Sequence, residues 1–82
     1  MNADRILEGL VAVAREHLDH EGGLEASSPL VEVLELDSIR LLTLIVEVEN
    51  HFRVCLEEGD EKGLETAGDL VALIGRRLAN AG

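Results

Sequence analysis

Tryptophan and tyrosine are absent from the 82 residues, and phenylalanine, proline, cysteine and methionine occur once each. With one aromatic in a chain that is 46% hydrophobic, the interior has to be built from Leu, Val, Ile and Ala. Glycines and turn clusters are too few for an all-β chain, and the apolar spacing is helical throughout. No uninterrupted apolar run approaches the ~18 residues that a membrane span needs. The opening Asn2-Ala3-Asp4-Arg5 lacks the basic n-region and apolar core of a secretory signal. A single cysteine, Cys55, rules out an internal disulfide framework and fits a reducing, cytoplasmic setting. Bases are scarce as well: 7 against 17 acids, a net charge of −10. Nucleic acid is therefore excluded as an expected partner, because phosphate binding needs clustered Lys and Arg. An acidic surface either favours encounter with basic patches on other proteins or simply keeps a small domain in solution.

What is present is helical. Asn2 is a fair N-cap for a helix from Ala3 to about Leu18, whose buried line is Ala3, Leu7, Leu10, Ala14 and Leu18, widened by Ile6 and Val13. Gly22-Gly23 is expected to stop it. Residues 22–37 read as a loop anchored by Leu30, Val31 and Leu34. Arg53-Val54-Cys55-Leu56 reads as an extended link with Val54 and Leu56 inward. Thr66 and Asp69 read as the capping box of a last helix that runs to about Asn80 and buries Ala67, Leu70, Val71, Ile74 and Leu78.

The chain is organised around Leu36-Asp37-Ser38-Ile39-Arg40 and the helix that follows to Phe52. Leu41, Ile45, Val48 and Phe52 fall on one line at helical spacing and predict its core stripe. Ile39, Leu42 and Val46 form a second apolar row, wider than a one-sided helix needs, so this row meets either other helices or a partner. Asp37 suits an N-cap, and Ser38 then projects its hydroxyl at a helix N-terminus, where exposed N–H groups favour phosphate. Taken alone, Asp-Ser is simply a helix start.

Its neighbours add to it. Leu34-Glu35-Leu36-Asp37-Ser38-Ile39 resembles the attachment motif of acyl and peptidyl carrier proteins. The apolar run Leu30-Val31-Glu32-Val33-Leu34 before it, Phe52 closing the helix, and Thr66-Ala67-Gly68-Asp69-Leu70 opening the last helix extend the resemblance across most of the chain. The resemblance implies an all-α, four-helix bundle of the acyl-carrier type. Residues 1–82 would then form one carrier domain, with three main helices, one short helix near residues 57–64 anchored by Leu64, and a long loop between the first and second. It also implies that Ser38 carries 4′-phosphopantetheine, taken from coenzyme A by a phosphopantetheinyl transferase, with Asp37 helping to present it. Acyl groups would ride on the arm as thioesters. Ile39, Leu42 and Val46 would be the docking row, and Glu47 and Glu49 the acids that meet basic patches on acyl-loading and acyl-processing enzymes.

Four positions depart from the common pattern. Glu35 stands where many members have glycine, Arg40 where acidic or small residues are frequent, Thr43 where acidic residues are frequent, and Glu57 where proline is frequent. Arg40 would put a positive charge beside the docking row and favour a dedicated partner. The preamble is less glycine-rich than that of many peptidyl carriers, which favours acyl cargo of fatty-acid, polyketide or related biosynthesis over an aminoacyl or peptidyl one.

No active site of the chain's own is legible, so an enzyme is not expected. His17 and His20 share a helix face but lack further ligands at a recognisable spacing, so no metal is assigned and a solvated face is expected. Cys55 and His51 lack a third orienting group, so a half-buried, inert thiol is expected. The rival reading is an acidic helical adaptor of the same fold, unmodified, that binds a basic protein. A monomer is expected in either case.

Overall fold

The computed structural model describes residues 2–57 and 59–81; Met1, Glu58 and Gly82 lie outside them. Its elements are α1 (Ala3–Leu18), α2 (Leu30–Val33), α3 (Ser38–Phe52), a 3-10 turn (Asp60–Gly63) and α4 (Ala67–Ala81). The only β feature among the described residues is an isolated antiparallel bridge between Pro29 and Thr66. The acyl-carrier architecture expected from the sequence is present. The order of its short pieces differs: the loop before α3 holds a helical turn, and a 3-10 turn stands where the resemblance implies a short third helix.

α1 packs against both α3 and α4 and is the wall they share. Asn2 Oδ1 accepts the Arg5 amide at 2.9 Å, as a cap should. The buried face is Ile6, Leu10, Val13, Ala14 and Leu18. Ala3 is exposed and Leu7 half-buried, so the inward line lies slightly round the helix from the predicted one. The helix stops before Gly22-Gly23. Asp19 takes the left-handed conformation at φ 55°, and both its amide and that of His20 close onto the Ala14 carbonyl.

α2 is too short to leave a periodic signal. Leu30 and Leu34 anchor it as expected, at 1% exposure each, but Val31 is 56% exposed and Leu24 is buried in its stead. The preceding segment is laced to the start of α4 by Leu30 N–H to Glu65 O at 2.9 Å, Ala67 N–H to Ser28 O at 2.9 Å and Gly68 N–H to Ala26 O at 2.8 Å. A Cβ at Gly68 would lie 2.9 Å from the Ala26 oxygen, so this approach requires glycine.

α3 buries Leu44, Val48 and Phe52. Gly9 on α1 admits the Phe52 ring, whose Cζ would be 2.6 Å from any Cβ there. Leu44, absent from the predicted stripe, takes the inward place, while Leu41 and Ile45 are half-buried and turn toward a groove. Beyond α3, Val54 is buried and Leu56 half-buried, as expected, but Cys55 is exposed rather than half-buried. Leu64 is half-buried and packs against the core.

The capping box opens α4. Thr66 Oγ1 accepts the Asp69 amide at 3.2 Å, and Asp69 Oδ2 accepts the Thr66 and Glu65 amides at 3.0 Å each. These bonds hold the Asp69 carboxyl below the usual carboxylate range, the Thr66 amide first and the Glu65 amide second. α4 buries Leu73 in addition to Ala67, Leu70 and Ile74, while Val71 and Leu78 are half-buried. Among the described residues no polar or charged side chain belongs to the core. Cohesion is therefore apolar, at about 1.5–3 kcal/mol for each fully buried Leu, Val, Ile or Phe.

Candidate attachment site at Ser38

Ser38 is the first residue of α3, exposed at the edge of the bundle. Asp37 is extended at φ −115° and ψ −171°, and its Oδ1 accepts the Arg40 amide at 2.8 Å. The cap that the sequence predicts is formed. Among the described residues neither the Ser38 nor the Ile39 amide donates within the chain, so two free N–H groups and the positive end of α3 surround the hydroxyl.

Three things converge on this hydroxyl. The first is a groove of about 420 Å³ lined by Ser38, Leu41, Leu42, Ile45, Leu56, Glu57 and Glu61. Its floor is aliphatic and its far wall is the segment leading into the 3-10 turn. The second is the uncovered apolar row: Ile39 is 77% exposed, Leu42 63% and Val46 43%. The alternative that neighbouring helices cover this row is thereby removed. The third is the turn before the serine, where Glu35 is left-handed at φ 51°. A side chain in that conformation costs about 1–2 kcal/mol, which explains the glycine preference that Glu35 departs from.

The charged residues on α3 are engaged by the fold itself. Glu49 Oε2 accepts the Leu56 amide at 2.9 Å and ties the link to the helix. Glu47 Oε2 lies 3.6 Å from His17 Nδ1, across to α1. Arg40 does not stand as an open charge beside the apolar row: its guanidinium donates to the Leu18 and Leu34 carbonyls. Thr43 Oγ1 bonds back to the Ile39 carbonyl at 3.0 Å.

The groove's far wall has its own tether. Arg77 Nη2 donates to Asp60 Oδ2 at 2.7 Å, and the same oxygen accepts the Glu57 amide at 2.7 Å. The Asp60 carboxyl is held below its ordinary value by Arg77 first and by the Glu57 amide second. Helical periodicity puts Leu41 and Ile45 in the core and gives Leu56, Glu57 and Glu61 no role at this site. The one available signal is the width of the apolar arc on α3.

No protein-family model matches the chain. Individual relatives do. An acyl carrier protein of Kineococcus radiotolerans is 36% identical over 74 residues, covering 84% of this chain and 86% of the relative. One from an Arthrobacter species is 33% identical over 81 residues, covering 93% and 95%. The chain belongs to the acyl carrier protein family. A meromycolate extension acyl carrier protein of Mycolicibacterium smegmatis is 31% identical over 72 residues, covering 82% of this chain and 73% of that one. The solution structure of a holo acyl carrier protein from Geobacter metallireducens superposes with a TM-score of 0.81 at 26% identity, covering 93% of this chain and 88% of that chain. Acyl carrier proteins are carriers rather than enzymes, they generally bear a phosphopantetheine arm, and acyl-processing enzymes are their partners. Among the described residues no helix is long and apolar enough to cross a membrane.

Proposed function

We propose that this acyl carrier protein bears 4′-phosphopantetheine on Ser38 and presents acyl intermediates to enzymes of fatty-acid, polyketide or related thiotemplate biosynthesis. The observation that carries the reading is the exposed Ser38 hydroxyl at the capped N-terminus of α3, opening directly onto the aliphatic groove. The residues fit the group. The unpaired Ser38 and Ile39 amides and the positive end of α3 would favour the anion of a phosphodiester on Ser38. Leu41, Leu42, Ile45 and Leu56 offer apolar surface beside it. When bound, the arm supplies a thiol on which acyl groups are held as thioesters.

The chain's own residues do the rest. Asp37 caps the first turn of α3, on which Ser38 stands; the base that takes the hydroxyl proton comes from the transferase. Ile39, Leu42 and Val46 form the surface that partner enzymes cover, and burying such side chains is the favourable term in docking. Glu47 and Glu49 flank that surface with negative charge, which steers basic partners and makes encounter salt-dependent. The meromycolate extension relative supports acyl-chain extension as one member of this class.

The test is intact mass after incubation with coenzyme A and a promiscuous phosphopantetheinyl transferase. Wild type should gain one phosphopantetheinyl unit and Ser38→Ala none. A folded wild type that gains nothing from several transferases supports the unmodified adaptor instead.

A further inference from the structure

We propose that Arg40 is a positioning residue, a clamp that holds the Ser38-bearing turn in its strained conformation, and not a docking charge. This rests on the reading of Ser38 as the attachment site. Arg40 Nη2 donates to the Leu18 carbonyl at 2.9 Å and to the Leu34 carbonyl at 2.7 Å, and Nε donates to Leu34 O at 3.0 Å. Leu18 is the last residue of α1 and Leu34 caps the end of α2, so one cation satisfies the open carbonyls of two helix C-termini. The backbone of the same residue holds the other side of the site, because its amide binds Asp37 Oδ1 at 2.8 Å.

Ser38 and the left-handed Glu35 thus lie within a loop of chain, residues 34–40, that Arg40 closes at both ends. Strain of this kind persists only where surrounding contacts over-determine it. The loop's further backbone tie runs back to α2, from Leu36 N–H to Val31 O at 3.0 Å. The clamp also explains a positive charge in the first turn of α3, where the helix dipole disfavours one. The side chain leaves that end and lies against two negative ends. Lysine cannot substitute, since a point ammonium lacks the planar fork that reaches two carbonyls from three N–H groups.

The experiment compares Arg40→Met, Arg40→Lys and the double variant Glu35→Gly/Arg40→Met with wild type. Two readouts are taken: amide hydrogen exchange, and the transferase kcat and KM at Ser38. In Arg40→Met and Arg40→Lys, exchange at Leu36 should rise about tenfold while α4 amides keep their protection, which separates local release from unfolding. Modification should slow by about tenfold in kcat with KM little changed, because the reacting hydroxyl is misplaced while the apolar row is intact. The double variant should recover most of the loss, glycine adopting the turn without strain. Unchanged Leu36 exchange in Arg40→Met overturns the clamp. A rise in KM alone, restored by lysine, overturns it in favour of a docking charge. Should the folded wild type accept no phosphopantetheine, the Ser38 reading fails and Leu36 exchange decides the clamp by itself.

Discussion

α3 presents two apolar rows of the same chemistry with opposite fates. Leu44, Val48 and Phe52 are 1%, 0% and 5% exposed against α1, whereas Ile39, Leu42 and Val46 are 77%, 63% and 43% exposed. The inner row is accounted for by the fold. Among the described residues nothing covers the outer row, and it lies beside the exposed serine, which supports the docking role proposed for it. Polar residues follow the same division. The carboxylate of Glu49 and the guanidinium of Arg40 each close backbone groups, while Ser38 is left open.

The sharpest way to break the comparison is to cut one leucine from each row. Leu44→Ala should lower the unfolding free energy by about 2–5 kcal/mol, the range for a fully buried leucine that leaves a cavity. Leu42→Ala should stay within about 0.5 kcal/mol in the same denaturant titration. Comparable losses at both would mean that the outer row is structural.

A smaller effect separates the cap from its charge. Asp37→Ala should cost about 1 kcal/mol of stability by denaturation, while Asp37→Asn, which keeps a good N-cap, should cost a few tenths. If Asp37→Asn nevertheless slows modification of Ser38, the carboxylate's charge matters to the transferase and not only its hydrogen bond. A similar loss of about 1 kcal/mol is expected for Thr66→Ala at the start of α4, with no effect on modification, since that cap lies away from the groove.

Acid should act on the groove's tether and on the α4 cap. Asp60 and Asp69 both have folded pKa values below their ordinary 3.8. Their contributions are therefore present above that value and lost as pH falls through the lower folded values. The difference in denaturation midpoint between wild type and Asp60→Asn should be open at about pH 7 and shrink toward about pH 3. A difference that does not change with pH would remove the Asp60–Arg77 pair as its source.

Helix limits and caps are legible in the sequence because they are local. Asn2, Asp37 and Thr66 each announce a first turn, and each makes the expected bond. Which part of the wide apolar arc on α3 faces inward is not legible, since periodicity gives spacing and not direction. For that reason the predicted stripe omits Leu44 and sets Leu41 and Ile45 too deep. Val31 departs from its expected anchoring role because α2 spans 4 residues and imposes its own facing on a segment that reads as loop. α1 ends at Leu18 as the sequence predicts, but the stop is a left-handed Asp19 and not Gly22-Gly23, because such a residue leaves no sequence mark as strong as glycine does. Arg40 looks like an open charge in sequence because its partners are backbone carbonyls 6 and 22 residues away, which no side-chain pattern reveals.

The division of α3 into an inner and an outer row is tested most directly by hydrogen exchange of the wild-type protein with and without a bound phosphopantetheinyl transferase. Protection gained along Asp37–Val46, with α4 unchanged, is the expected result. Protection gained on α4 or on the His17 end of α1, with the Ser38 turn unaffected, would contradict it.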